Sequence, residues 1–334
     1  MKNIAVYGFG RIGRRLVRSA VQNELFFPSV VCDIASAGDL AALLEVDTNY
    51  GRWPGIASND DTSISIDGRR ITYINSRGGL PDWNALGIDL VVDCTGRGVT
   101  REAAERHLAN GAERVLISGP SKAAEDCDAV LLPGINLDDY DSGAHKIISM
   151  ASCTTNALAA VVKVLLESTG IRFGVFSTVH AYTNTQSLTD QPMKSRRDSW
   201  AGAEIIIPSS SGAAKALGFI WPDLQITGKA YRVPVRTGSI VELNVIPEHE
   251  IATEDLRDLF RKAATAGALH GILDVFEEEW TSARIVGDPH SSIVDLPLTR
   301  SFNGMVSVAA WYDNEAGFSM RLAETAARLA STDM

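Results

Sequence analysis

The stretch Gly8-Phe9-Gly10-Arg11-Ile12-Gly13 limits what this chain can fold into more than any other. It follows the short apolar run Asn3-Ile4-Ala5-Val6-Tyr7, which reads as a strand. It opens a segment in which Ile12, Leu16, Val17, Ala20 and Val21 share one helical stripe. Between strand and helix the three glycines have separate tasks: Gly8 permits the tight turn, Gly10 lets the backbone approach a pyrophosphate, and Gly13 lets helix and strand pack closely. The second strand, residues 30–32, ends at Asp33, 20 positions after Gly13. A carboxylate there accepts from the ribose hydroxyls of an adenosine and repels a 2′-phosphate, so the pattern predicts NAD rather than NADP.

The alternation continues beyond Asp33. Residues 39–45 read as a helix, 63–66 and 71–74 as a hairpin around Asp67-Gly68, and 90–94 as a buried strand. A helix to about residue 109 and strands at 115–117, 130–132 and 147–148 complete the pattern of a mostly parallel, doubly wound sheet. Ligands of such sheets lie at the carboxyl ends of the strands. Thr95-Gly96 and Ser118-Gly119 occupy that edge and are expected to line the cofactor groove; as ordinary tight turns they would look the same.

At 334 residues the chain suits two domains. Its 31 basic against 41 acidic residues leave a net charge of −10, which argues against a nucleic-acid or membrane-surface protein. Arg11, Arg14, Arg15 and Arg18 are expected to form one solvated helix face plus a cofactor contact. Four cysteines (Cys32, Cys94, Cys127, Cys153) show no C-x-x-C spacing, so neither a metal site nor a disulfide framework is indicated. Free thiols, no apolar run long enough to cross a bilayer and no signal-peptide pattern predict a cytoplasmic protein.

The second half turns on Ser152-Cys153-Thr154-Thr155-Asn156. An apolar strand precedes it, and an Ala- and Leu-rich helix follows until Gly170. Cys153 then sits at a helix N-terminus, where free N–H groups and the helix dipole favour a thiolate, the nucleophilic form. A small buried cysteine would also suit the position. Residues 173–179 read as a strand leading to His180, 27 positions after Cys153. Imidazole can take up a thiol proton and then serve as general acid and base. Residues 181–207 read as a long ordered loop holding Arg196, Arg197, Asp198 and Trp200. Residues 209–215 read as a helix start whose hydroxyls and N–H groups could hold an oxyanion. Strands are expected at 230–235, 239–246 and 306–311, and helices near 254–264 and from about 316, the last with Phe318, Leu322, Ala326 and Leu329 on one face.

Six motifs together resemble the glyceraldehyde-3-phosphate dehydrogenase family and its relative erythrose-4-phosphate dehydrogenase: G-F-G-R-I-G-R at 8–14, A-S-C-T-T-N at 151–156, H-A-Y-T at 180–183, S-G-A-A-K-A at 211–216, R-V-P at 232–234 and W-Y-D-N-E at 311–315. The resemblance spans essentially the whole chain. It implies a Rossmann-type α/β NAD-binding domain at 1–151 and 315–334. An α+β catalytic domain with a largely antiparallel sheet would occupy 152–314, and the assembly would be a homotetramer. It implies attack by Cys153 on an aldehyde, with His180 taking the thiohemiacetal proton, hydride transfer to NAD, and release of the acyl group by inorganic phosphate. Gly10, Arg11, Ile12, Asp33, Arg77, Thr95, Gly96, Ser118 and Asn314 match cofactor positions, and Asn314 would hold the nicotinamide amide. Ser152, Thr154, Ser211, Gly212, Thr183, Arg232 and Arg236 form the substrate set, with Ser152, Ser211 and Gly212 at the attacking phosphate and Thr183 and Arg232 at the substrate phosphate.

The departures from the family pattern fall around those phosphates. Thr185 replaces an Asp, Asp198 and Trp200 replace two arginines, and Arg236-Thr237 replace Pro-Asn. Ala316-Gly317-Phe318 lacks the family's Trp, Ala157 its second Cys, and Cys32 stands for Asn. Arg236 could supply a replacement cation. A phosphorylated aldehyde with phosphorolysis of the thioester is therefore expected, with two alternatives: hydrolysis of the thioester of another anionic aldehyde, and a non-catalytic NAD-binding regulator. Retention of both Cys153 and His180 speaks against the regulator.

Overall fold

The computed structural model describes residues 2–55 and 57–331. The chain forms two compact units, one from the residues up to Ala151 together with those from Ser319 on, the other Ser152–Phe318.

Among the described residues, the sheet of the first unit runs Ala129–Val130, Ile147–Ser149, Arg114–Ile117, Leu90–Asp93, Ile4–Tyr7, Val30–Asp33, Arg69–Asn75, Ser63–Ile66, Ala57–Asp60. Every pair up to Arg69–Asn75 is parallel, and the last two pairs are antiparallel. The chain winds outward in one direction from Ile4–Tyr7 to Val30–Asp33, then returns to its other side with Leu90–Asp93. That reversal opens the crevice in which doubly wound sheets bind ligands. Two turns meet there: a Cβ on Gly8, whose φ is 93°, would lie 2.8 Å from both the backbone N and Cγ2 of Thr95. The hairpin turn places Asp67 at φ 50° and Gly68 at φ 76°, the primed turn that matches strand twist.

Local chemistry shifts some boundaries. The predicted helix at 39–45 spans Ala37–Glu45, because Ser36 Oγ caps it by accepting from Asp39 N at 3.1 Å. The predicted strand at 130–132 is only Ala129–Val130. The arginine stripe is not a solvated face. Arg14 is 8% and Arg18 5% exposed. Their guanidinium groups are spent on carbonyls, Arg14 Nη1 on Phe9 O at 2.8 Å and Arg18 Nε on Leu44 O at 3.0 Å, while Arg11 pairs with Asp47 at 3.2 Å. Arg supplies five donors in a fixed fork, which makes burial against otherwise unmatched carbonyls affordable.

The sheet of the second unit runs Ile207–Ser210, Ile226–Val233, Phe173–Ala181, Ser239–Ile246, Met305–Tyr312, Ser292–Phe302, Leu273–Phe276. Four of its six pairs are antiparallel, and Phe173–Ala181 runs parallel to Ile226–Val233. Ser292–Phe302 and Leu273–Phe276 have no counterpart in the pattern reading. Pro297 interrupts the alternation of the longer one, and its register shifts between Asp295 and Arg300. Ser209 and Ser210 lie on the edge strand Ile207–Ser210, and the helix predicted to begin there starts only at Ala213.

Helices Cys153–Ser168, Ala213–Ile220 and Thr253–Thr265 pack on one face of this sheet. Alternation along Phe173–Ala181 therefore divides its side chains. Phe176, Thr178 and His180 are buried on the helix side, whereas Phe173, Val175 and Val179 are exposed on the other. The final helix, Ala316–Ala330, buries Phe318, Leu322, Ala326 and Leu329, and Ala330 O accepts from Lys2 N at 2.9 Å.

The glycine turn can be tested by stability. A Cβ at Gly13 would lie 2.1 Å from Gly8 O, whereas one at Gly10 would meet nothing within 4 Å. Gly13→Ala is expected to cost about 1–3 kcal/mol in denaturant unfolding despite the better helix propensity of Ala, and Gly10→Ala to stay within about 1 kcal/mol of wild type.

Candidate active site

The helix Cys153–Ser168 starts at Cys153 because Ser152, in extended conformation, caps it. Ser152 Oγ accepts from Thr155 N at 3.1 Å and lies 2.8 Å from Thr155 Oγ1. The preceding Ala151 has φ 53°, a left-handed conformation that a non-glycine residue adopts at a cost of about 1–2 kcal/mol. Cys153 thus occupies the first helical position, half-buried, with Sγ 3.4 Å from His180 Nε2.

Sheet register brings in the third member. In the parallel pair, His180 and Arg232 are direct partners. Arg232 Nη1 reaches His180 Nδ1 at 2.6 Å and Ala181 O at 3.2 Å, and His180 Nδ1 lies 2.7 Å from that same carbonyl. These contacts compete for the imidazole proton. With the proton on Nδ1 it is donated to Ala181 O, and Nε2 is left to accept from the thiol. With the proton on Nε2, Nδ1 accepts from Arg232 and His180 cannot act as a base. The base-competent tautomer therefore requires Arg232 to spend its Nη1 donor on Ala181 O or elsewhere.

Burial holds the pair neutral. Desolvation pushes the Cys153 thiol up, against the opposing pull of Arg232, Thr154 and the N-terminal N–H groups. Desolvation, then the charge of Arg232, pushes His180 down to about 3. The helix N-terminus does not by itself yield a standing thiolate here; the thiol must lose its proton to His180 as it attacks.

Behind the pair, three hydroxyls have fixed directions. Thr178 Oγ1 donates to Ile240 O at 3.0 Å, so it accepts from Tyr312 OH at 2.7 Å, and Tyr312 OH in turn accepts from Thr154 Oγ1 at 2.9 Å. The Tyr312 ring stands edge-on to His180, with centroids 5.9 Å apart. Tyr312 escapes the pattern reading, in which only Asn314 of W-Y-D-N-E has a role. A tyrosine near the end of a buried strand, whose hydroxyl must find a partner, is the signal that could have marked it. Two residues on, Asn314 Oδ1 accepts from Gly238 N at 3.2 Å and Ser239 Oγ at 3.1 Å, which leaves the amide nitrogen as the group it can present.

Thr183, Ser211 and Gly212 are hydrogen-bonded within their own segments. Thr183 belongs to a second network: its N donates to Gln186 Oε1 at 3.0 Å, its hydroxyl lies 3.0 Å from that of Thr185, and Gln186 Nε2 donates to Asp198 Oδ1 at 3.2 Å. Ser211 Oγ accepts from Ala213 N at 3.3 Å, Gly212 is the helix N-cap, and Arg236 is exposed.

In the first unit, Gly10 is the N-cap of Arg11–Gln22 with no side-chain cap, a Cβ on Gly10 would meet nothing within 4 Å, and the first turn holds no acidic residue. Asp33 Oδ2 accepts from Phe9 N at 2.7 Å, and Oδ1 from Ile34 N and Ala35 N at 2.7 and 3.0 Å. Arg77 Nε donates to Ile34 O at 2.8 Å. Asp93 holds Thr95, and Ser118 N donates to Asp93 O at 3.0 Å. An uncapped helix N-terminus at an open glycine suits a pyrophosphate, and the carboxylate at the strand end suits ribose hydroxyls. These residues fit an NAD.

Comparison with known proteins agrees. Residues 2–101 match the NAD binding domain and residues 152–314 the C-terminal domain of glyceraldehyde 3-phosphate dehydrogenase. The chain belongs to the glyceraldehyde 3-phosphate dehydrogenase family. It is 43% identical to glyceraldehyde-3-phosphate dehydrogenase of Kitasatospora aureofaciens, over 99% of this chain and 100% of that protein. It is 41% identical to those of Streptomyces coelicolor, over 96% of each chain, and Geobacillus stearothermophilus, over 98% of each. As a member of the glyceraldehyde 3-phosphate dehydrogenase family it is an NAD-dependent oxidoreductase acting on an aldehyde group. The non-catalytic alternative is not favoured. Among the described residues, no helix is long and apolar enough to cross a membrane, and no His, Cys, Asp and Glu cluster could hold a metal.

Asp198 is not an isolated charge in its loop. It binds Gln186, which in turn holds Thr183, so the position has become part of the support of its own loop.

The buried neutral histidine leaves a signature in stability. Unfolded, His180 titrates near the ordinary 6.5; folded, near 3. The unfolded chain therefore takes the proton first. The stabilisation is complete above about pH 6.5 and is lost as pH falls from there toward 3, at up to about 1.4 kcal/mol per pH unit. Denaturant unfolding of wild type and His180→Asn at pH 7.5 and 5 should show the variant losing about 1–2 kcal/mol less across that interval.

Proposed function

We propose that the chain oxidises a small phosphorylated aldehyde through a Cys153 thioester, with inorganic phosphate as acyl acceptor. The observation that carries the reading is the neutral Cys153–His180 pair, 3.4 Å apart at a helix N-terminus in a member of this family. Gly10, Arg11 and Ile12 would hold the cofactor pyrophosphate, Asp33 the adenosine ribose, and Arg77, Thr95, Gly96 and Ser118 the walls of the site. Asn314 would hold the nicotinamide amide through its free nitrogen. Bound NAD supplies the ring that accepts the hydride.

The chain's own residues handle the protons and the acyl group. As Sγ of Cys153 bonds to the aldehyde carbon, His180 Nε2 takes the thiol proton and delivers it to the developing alkoxide, giving a neutral thiohemiacetal. Nε2, again unprotonated, then takes that hydroxyl proton as the hydride leaves, and the carbon becomes a thioester carbonyl. The N–H groups at the start of the Cys153 helix suit the oxyanion in both additions. The protonated His180 returns its proton to Sγ when the acyl group departs to phosphate, which restores the resting pair. Arg232 has two tasks. Drawn onto the substrate phosphate with Thr183, it leaves Nδ1–H to Ala181 O and so favours the tautomer that can act as base. Ser152, Thr154, Ser211 and Gly212, with Arg236, form the proposed surroundings of the attacking phosphate.

A cytoplasmic homotetramer completes the proposal. Supporting self-association, the sheet face of the second unit opposite its helices carries the register partners Phe173 and Ile246 and the register partners Met305 and Phe302, with Phe173 55% and Phe302 63% exposed. Four free cysteines suit a reducing compartment.

The test is NADH formation from glyceraldehyde 3-phosphate with and without inorganic phosphate. Phosphate-dependent turnover is expected, with the NADH burst lost in Cys153→Ala and kcat reduced about 10²–10⁴-fold in His180→Asn. Equal turnover without phosphate would overturn the proposed acceptor. Asp198→Arg, which removes the acceptor of Gln186 Nε2 and so the support of Thr183, should raise the KM for glyceraldehyde 3-phosphate about tenfold.

A further inference from the structure

A buried polar chain in the first unit takes no part in the chemistry above. Trp83, fully buried, lies in a cluster with Ala5, Val30, Cys32, Ile88, Val91 and Ala112. Its Nε1–H donates to His107 Nδ1 at 3.1 Å. That bond fixes the tautomer: Nδ1 is the acceptor, so the proton of the neutral ring is on Nε2. Nε2 in turn lies 3.5 Å from Asp93 Oδ2, with His107 2% and Asp93 3% exposed. Tyr7 packs edge-on against the imidazole, with centroids 4.9 Å apart, and holds the ring plane.

Asp93 ends the strand Leu90–Asp93, and its other oxygen works forward. Oδ1 accepts from Thr95 N at 2.8 Å and Thr95 Oγ1 at 2.6 Å, and Thr95 Oγ1 accepts from Arg97 N at 3.1 Å. Gly98 closes over the same carboxylate, since a Cβ there would lie 2.0 Å from Asp93 Oδ2. Thr95 is also the residue against which Gly8 makes its closest approach. A buried carboxylate is costly, and this one is satisfied chiefly by the Thr95 turn, with Nε2 of a histidine of fixed tautomer 3.5 Å from its other oxygen, so its position bears on the geometry of that turn.

We infer that Trp83, His107 and Asp93 act as one positioning unit for the turn at residues 95–98 and so set the affinity for NAD without touching it. The inference rests on the reading that Thr95 and Gly96 line the cofactor site. The three side chains are positioning residues: none reaches a reacting atom, and each acts through Thr95.

The experiment compares NAD dissociation constants, KM for NAD and kcat for the full-length enzyme and three variants, with thermal melting of each. His107→Leu removes both contacts. His107→Gln can keep both, its carbonyl accepting from Trp83 and its amide donating to Asp93. Thr95→Val tests the turn itself. Expected is a rise in Kd and KM for NAD on the order of tenfold in His107→Leu and Thr95→Val, with kcat at saturating NAD within about twofold in His107→Leu, and recovery of most of the His107→Leu loss in His107→Gln. Equal impairment of Gln and Leu would reduce His107 to packing and overturn the inference. Wild-type affinity in His107→Leu beside a weakened Thr95→Val would overturn the relay while leaving the cofactor reading intact. Wild-type affinity in Thr95→Val would overturn that reading and the inference with it. Should His107→Leu fail to fold, the ring nitrogen shifts of His107 in wild-type enzyme decide, since a proton on Nδ1 contradicts the relay.

Discussion

Desolvation governs the Cys153–His180 pair, and the surrounding structure follows from the need to manage it. Taking a thiol and an imidazole out of water disfavours both charged forms, so neither group alone is an ion at rest. A neutral pair at 3.4 Å is useful only if Nε2 carries no proton. The carbonyl of Ala181 and the guanidinium of Arg232 therefore hold opposite stakes in Nδ1. Around this balance the hydroxyl chain of Thr154, Tyr312 and Thr178 supplies rigidity without adding charge. The same logic recurs in the first unit, where a histidine of fixed tautomer lies between an indole and a carboxylate.

Much of this was legible in the residues. Gly8, Gly10, Gly13 and Asp33 announced a strand–turn–helix–strand unit because each answers a local backbone or ligand demand. Cys153 and His180 could be located because each follows or ends an apolar strand. What resisted reading depends on register and on long-range matching. Arg232 meets His180 from 52 positions away only because two parallel strands align, and no local pattern encodes that alignment. Ser292–Phe302 hid behind Pro297 and a register shift. Arg14 and Arg18 looked like surface residues because a charged side chain at helical spacing usually is one. Their carbonyl partners, Phe9, Leu44 and Gly51, become visible only once the backbone is folded.

The loop at 181–207 shows how a single acidic side chain can be tied into its surroundings. An aspartate in this loop would repel a nearby anion, yet Asp198 accepts from Gln186 and so helps to hold the backbone at Thr183. Substrate preference is then a property of the network more than of one charge, and changes at Thr185, Gln186 and Asp198 should be coupled.

The connectivity of the first unit has a consequence for biosynthesis. Its buried residues include Leu322, Ala323, Ala326 and Leu329 of the final helix, and Lys2 N finds its acceptor at Ala330. On the ribosome, the glycine turn and its strands emerge well before the helix that supplies part of the core they pack against. The second unit, contained within Ser152–Phe318, has all its residues earlier and can reach its fold while the first still exposes apolar surface. The nascent first unit is therefore the more in need of protection of the two until the helix Ala316–Ala330 has emerged.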